Sequence, residues 1–174
     1  AHAQEFGRGL DLREGKLRVR IEIDDEAVGK LGIVDAAAPD VELDRAVLAA
    51  YGATDRIVWV ADSFDGVPPP DAARFPADAG DGLHTHRELA IPLEDVAANF
   101  ARYGLLDGQV RFLPGWFRDT LPSAPIDRLA LLRLDGDLYE STIVALEALY
   151  PRLSPGGYVI VDDYCLAGCR RAVD

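Results

Sequence analysis

The 174-residue chain is short of cysteine, of lysine and of long apolar runs, and each shortage removes a class of protein. Its two cysteines, Cys165 and Cys169, are too few for a disulfide framework, and no histidine stands near them to complete a zinc site. They are expected as reduced thiols on one helical face or loop. Only Lys16 and Lys30 accompany the arginines, and 30 acidic against 18 basic residues leave a formal charge of −12. With no basic excess to neutralise phosphates, neither nucleic acid nor an anionic membrane is expected as a partner. No apolar stretch approaches the ~20 residues of a membrane span and no signal-like segment opens the chain, so a cytoplasmic protein is expected.

What is present fits one domain with a real core: 49% hydrophobic and 28% charged residues are ordinary proportions. From about residue 43 the chain alternates helix and strand. "LDRAVLAAYG" reads as a helix with Leu43, Val47, Leu48 and Tyr51 on its inward face and Gly52 as its stop. "RIVWVADSF" is a buried strand ending at Asp62. Residues 67–82 hold four prolines and two glycines, which predicts an irregular functional loop or lid, extending to residue 90. "PLEDVAANFARYGLL" resumes as a helix with Leu93, Val96, Phe100 and Tyr103 in register, and "QVRFLPGW" is a short strand running into a turn.

"RLALLRL" is apolar without alternation, as in a strand covered on both faces. "YESTIVALEALYPRLSPGG" predicts a helix with Tyr139, Ile143, Leu146, Leu149 and Leu153 as its stripe, stopped by Pro155, Gly156 and Gly157. "YVIVDDY" is the last strand. This order predicts an α/β fold with a doubly wound, mostly parallel sheet over residues 33–174. Residues 1–32 read differently: "KLRVRIEID" alternates strictly, as in a half-exposed antiparallel strand hairpinned to "GLDL".

Two strands end in paired acids, Asp135 with Asp137 and Asp162 with Asp163. Ligands of open α/β sheets bind outside the carboxyl ends of the strands. If these two strands are parallel neighbours, three or four carboxylates crowd one cleft and raise one another's pKa values. Acids at strand ends are often loop caps, but two consecutive strands doing the same favours a site for Mg²⁺ or Ca²⁺, which take oxygen ligands. "LDGD" also fits, locally, the DxD pattern through which metal-dependent glycosyl-transfer enzymes hold a sugar nucleotide. The phosphatase loop of haloacid-dehalogenase type is excluded, because that motif opens a domain and no lysine follows Asp135.

Taken in order, "VWVADSFDGVPPPD", "NFARYGLLDGQVRFLPGWFRDTLP", "LALLRLDGDLYEST" and "LSPGGYVIVDDY" strongly resemble the macrocin O-methyltransferase family over residues 45–171. The resemblance implies a Rossmann-like class I methyltransferase fold and O-methylation of a sugar hydroxyl on a macrolide-type or related natural product, with S-adenosylmethionine and Mg²⁺. It implies that Asp135, Asp162 and Asp163 hold the metal. Asp137 is the implied general base, with His84 as a rival. Asp62, Ser63, Gly115, Trp116 and Asp35 are implied on the cofactor, with Asp62 accepting from its ribose hydroxyls.

The chain departs from the family at "DAAAPD", where Ala36, Ala37, Ala38 and Pro39 replace a glycine-rich cofactor turn; Cβ atoms fill space there and Pro39 removes a donor. Residues 1–32 and the family's final two strands are also unmatched, so an exposed sheet edge and a homo-oligomer are expected. A non-catalytic relative that keeps the acidic cleft is the other reading these departures allow.

Overall fold

A computed structural model of the chain describes residues 11–13, 16–18, 32–35 and 41–174, with side chains from residue 42 onward. The hairpin expected near the N-terminus is present as β1 (Asp11–Arg13) and β2 (Lys16–Arg18), antiparallel with Leu12 opposite Leu17. The continued alternation through Ile23 and the Ala36–Pro39 turn lie outside the described residues.

The remaining strands are β3 (Gly32–Asp35), β4 (Ile57–Asp62), β5 (Val110–Pro114), β6 (Leu129–Leu134) and β7 (Leu153–Val161). They form one sheet in the order β5-β4-β3-β6-β7, with every described pairing parallel. The helices are α1 (Val41–Ala50), α2 (Leu93–Arg102), α3 (Phe117–Thr120), α4 (Tyr139–Leu149) and α5 (Ala167–Val173). β3 is flanked by β4 on one side and β6 on the other, so chain order reverses at β3. That reversal is where an open parallel sheet leaves a crevice at its strand ends.

Strand alternation divides the core in two. Val58 and Val60 of β4 pack with Leu48 of α1, Phe100 of α2 and Val110. Ala61, with Leu132 and Leu134 of β6, packs with Ala145 and Leu149 of α4 and Cys169 of α5. Phe100 is wholly buried, worth about 2–3 kcal/mol of transfer free energy, and meets the Phe112 ring edge-on at 6.0 Å between centroids.

Both glycine stops behave as expected. Gly52 and Gly104 are left-handed (φ 65° and 69°), and Ala53 and Leu105 donate back to Leu48 and Phe100 at 2.9 and 2.8 Å.

Three expectations about faces are corrected. In α1, Leu43, Val47 and Tyr51 point out at 60%, 45% and 85% exposure, while Glu42 and Arg45 are buried. The turn of the helix follows from Arg45, which forms an ion pair with Asp107 before β5 and so draws the polar side inward. On α2, Tyr103 is likewise exposed, its ring lying beneath the Arg102 guanidinium instead of entering the core.

In α4 the buried face carries Glu140, Ser141, Thr142, Ala145 and Leu149. Its small and polar members let the helix approach α5 and the strand ends, and Tyr139, Ile143 and Leu146 are only partly covered. The residues expected to stop α4 lie inside β7. Leu129 and Leu131 of β6 pair with Leu153 and Tyr158, so Ser154 to Gly157 bulge opposite Ala130. A Cβ on Gly157 would lie 2.9 Å from the Ala130 carbonyl oxygen, which is why glycine is needed there.

The proline-rich stretch is irregular as expected, tightened into short 3-10 turns at Pro76–Asp78, Leu83–Thr85 and Arg87–Leu89. Of the two cysteines, Cys169 is buried within α5 and Cys165 is exposed ahead of it. No described helix is long and apolar enough to cross a membrane.

Candidate active site at the strand ends

Asp62 is the last residue of β4, and its carboxylate organises the turn that follows. Phe64 takes a left-handed conformation (φ 56°), which lets its N–H donate to Asp62 Oδ1 at 2.6 Å. Ser63 Oγ donates to the Gly66 carbonyl at 2.7 Å, accepts from Asp65 N–H at 3.0 Å and lies 3.3 Å from Asp62 Oδ1. The Phe64 N–H and the Ser63 hydroxyl both meet the Asp62 carboxylate at Oδ1. Burial raises the Asp62 pKa, against the lowering effect of these donors. The next strand is tied in by Gly115, whose N–H donates to the Asp62 carbonyl at 2.8 Å. Gly115 has φ 129°, and a Cβ on it would stand 2.8 Å from Thr120 Cγ2, so this turn into Trp116 and α3 requires glycine.

On the other side of β3, the chain leaves β6 through Asp135, Gly136 and Asp137. Gly136 is packed so closely that a Cβ would lie 2.9 Å from Ser141 Cβ. Asp137 has φ 59°, a left-handed conformation that Asp tolerates better than most residues. Its N–H donates to Asp163 Oδ2 at 2.9 Å, so the acids of the two strand ends are joined.

Asp135 titrates far above the usual carboxylate range. Burial is the first cause, followed by the charge of Asp163 and a hydrogen bond between the two carboxyls, with Asp162 and Asp137 adding to it. Asp137 is pushed up to about 6 by burial, then by Asp163 and Asp81. Asp162 is turned differently: its Oδ2 accepts from Arg133 Nε at 2.5 Å. Among the described residues, no three His, Cys, Asp or Glu side chains converge as a ready-made metal cage. The close set is the pair Asp135 and Asp163, with Asp137 joined through its backbone. Asp135 and Asp163 present oxygen donors only, the ligand type that hard divalent cations take.

A cavity of ≈ 360 Å³ connects the two groups of residues, with Asp62, Ser63 and Trp116 on one side and Asp135, Gly136 and Asp137 on the other. That volume is within the range of small-molecule sites. Gly66 just ahead of the proline-rich segment, Val67 and Pro68 from its start, and Glu88 and Leu89 from its end contribute to the wall. His84, the rival base, is exposed and does not line the cavity. Asp35 is the last residue of β3, the strand between β4 and β6; its side chain is outside the described residues.

Sequence reasoning missed Arg118 and Glu140, which also line the cavity and pair at 2.8 Å. Glu140 is 3% exposed, and among the described residues its Oε2 has no hydrogen-bond partner. The signal available was an acid two residues into a helix that follows an acidic turn. Nothing local distinguished it from an ordinary first-turn glutamate.

A family model described as Macrocin-O-methyltransferase (TylF) matches residues 41–174. The chain belongs to the macrocin O-methyltransferase family. It is 65% identical over 130 residues to the 8-demethyl-8-(2,3-dimethoxy-alpha-L-rhamnosyl)-tetracenomycin-C 4'-O-methyltransferase of Streptomyces olivaceus, covering 74% of this chain and 50% of that one. Mycinamicin III 3''-O-methyltransferase of Micromonospora griseorubida is 56% identical over 132 residues, covering 74% and 52%. The chain thus spans about half the length of the curated relatives it matches. Among solved structures, the O-methyltransferase NovP superposes with a TM-score of 0.78 at 50% identity, covering 84% of this chain and 62% of that one. A calicheamicin methyltransferase shares the fold at 23% identity and a TM-score of 0.64, covering 85% and 63%. The macrocin O-methyltransferase resemblance read from four stretches of sequence is therefore borne out.

Proposed function

We propose that the chain carries the S-adenosylmethionine- and Mg²⁺-binding part of an enzyme that methylates a sugar hydroxyl on a macrolide-type or related glycosylated natural product. The observation that carries this reading is the single cavity joining Asp62, Ser63 and Trp116 to Asp135 and Asp137 across β3. The sheet order and the cores on its two faces support the finer reading of a Rossmann-like, doubly wound class I methyltransferase fold. The relatives, O-methyltransferases of a rhamnosyl-tetracenomycin, of mycinamicin III and of demethyldecarbamoylnovobiocin, support the substrate class.

Asp62 Oδ2, with Oδ1 already engaged, is suited to accept from the ribose hydroxyls of the methyl donor, and Trp116 offers an aromatic face to its adenine. Asp135 and Asp163 would hold the metal, joined by Asp162 on release from Arg133. A divalent cation held there would supply Lewis acidity, lowering the pKa of the acceptor hydroxyl. Asp137 would take the hydroxyl proton, and the methyl donor would supply a sulfonium methyl group to the acceptor oxygen. In the metal-free protein, burial and the charges of Asp163 and Asp81 raise the Asp137 pKa to about 6, so its carboxyl holds a proton more readily than an ordinary carboxylate does.

Calorimetric titration with S-adenosylhomocysteine, with and without Mg²⁺, tests the reading. Micromolar binding is expected. A folded chain that binds none would be a relative that has kept the acidic cleft without the methyl donor.

A further inference from the structure

Helix α4 begins directly after the Asp135–Asp137 turn, and its first turn lacks a cap of its own. The N-cap residue is Leu138, whose side chain cannot accept a hydrogen bond. First-turn amides with no intrahelical partner must be satisfied from elsewhere. Here the acceptor comes from the proline-rich segment. Asp78 Oδ1 accepts from Tyr139 N–H at 2.7 Å, and Asp78 Oδ2 accepts from Glu140 N–H at 2.9 Å.

Asp78 is 3% exposed, and its surroundings are built to keep it there. The neighbouring Phe75 ring lies 6.3 Å from the Tyr139 ring. Gly168 of α5 closes the other side: a Cβ on it would stand 3.0 Å from Tyr139 N and 3.1 Å from Asp78 Oδ1. A buried carboxylate at a helix start is further favoured by the helix dipole.

Three parts of the site meet at this point. Leu138 alone separates the capped amides from Asp137, whose own N–H is held by Asp163. Glu140, whose amide is capped, holds Arg118 of α3 at the cavity wall through its side chain. The third part is the segment bearing Asp78, whose two ends line the same cavity.

We propose that Asp78 is a positioning residue. By capping α4 from the proline-rich segment, it holds the Asp135–Asp137 turn in place and makes the docking of that segment and the geometry of the acids a single event. Its catalytic consequence rests on the proposed methyl transfer; the coupling itself does not.

Asp78→Ala and Asp78→Asn in the full chain test it, the asparagine keeping one acceptor oxygen and guarding against a loss of fold in the alanine variant. Amide exchange is followed by mass spectrometry over residues 67–90 and 135–143, alongside S-adenosylhomocysteine affinity and, with a glycosylated acceptor, kcat and acceptor KM. Alanine is expected to speed exchange in both segments together by at least tenfold, with asparagine between it and the parent. kcat should fall in the same order, while S-adenosylhomocysteine affinity stays within about threefold because Asp62 and Trp116 are untouched. Loosening of residues 67–90 with the start of α4 unchanged would overturn the coupling. Unchanged kcat with both segments loosened would overturn the positioning role. Exchange is read without turnover, so a chain that transfers no methyl group counts against the proposed function and leaves the coupling result standing.

Discussion

Asp137→Asn should make the metal-free protein more stable, although the same change removes the proposed base. The parent pays for its charge: burial, Asp163 and Asp81 hold Asp137 at about 6 against an ordinary 3.8. A difference of that size corresponds to about 3 kcal/mol against the ionised folded state above pH 7. Solvent reaches part of the side chain, and screening brings the figure to about 1–2 kcal/mol. Asparagine removes the charge and introduces little strain, since it accepts the left-handed conformation at φ 59° as readily as aspartate does. The hydrogen bond to Asp163 comes from the backbone N–H of residue 137 and survives the substitution.

The sign of the pH dependence follows from the raised pKa. Stability contributed by a carboxyl that holds its proton more tightly when folded is present below the unfolded value, near 4, and is lost as pH rises through about 6. The advantage of Asp137→Asn should therefore be about half developed at pH 5 and complete above pH 7. For a chain of this length, 1–2 kcal/mol corresponds to a gain in Tm of roughly 2–8 °C. Thermal unfolding of both proteins in chelator at pH 5.0 and 7.5 measures it. A variant no more stable than the parent at pH 7.5, or a gain equal at both pH values, would show that Asp137 carries no such electrostatic penalty.

Two further substitutions probe the frame of the site. Arg118→Ala leaves the Glu140 carboxylate, 3% exposed, without its cation, and should destabilise by about 1–3 kcal/mol in urea unfolding, less than for a fully buried pair because the Arg118 side chain is 35% exposed. Adding Glu140→Gln should recover much of that loss; no recovery would place the damage in packing instead of charge. Gly157→Ala forces a Cβ to 2.9 Å from the Ala130 carbonyl and from Leu153, and about 1–3 kcal/mol of destabilisation is expected in the same assay. A neutral result would mean that the bulge in β7 yields freely.

The strand ends were legible because their signal is local. A parallel strand buried on both faces is an apolar run, and the residues beyond it must turn at the ligand-bearing edge of the sheet. Asp62, Asp135 and Asp137 could be assigned to that edge from the chain itself, and the structure gathers all three around one cavity. Helix faces were less legible. In α1 the apolar stripe Leu43, Val47, Leu48 and Tyr51 sends only Leu48 into the core and the other three outward, because a periodic stripe says nothing about the Arg45–Asp107 pair that turns the polar side inward.

The same limit applies to α4, and there it bears on function. Its sequence offers an apolar stripe beginning at Tyr139, yet the face turned inward is the one with Ser141, Thr142 and Ala145, whose small size lets the helix start close to the Asp135–Asp137 turn. That close start leaves Leu138 where a capping residue would ordinarily stand. The missing acceptor is then supplied by Asp78, from a segment whose prolines and glycines give no local hint of the role. A polar group placed by tertiary structure satisfies a backbone need that no nearby residue meets. Such partners therefore have to be found by asking, of each buried amide at a helix start, what accepts its hydrogen bond.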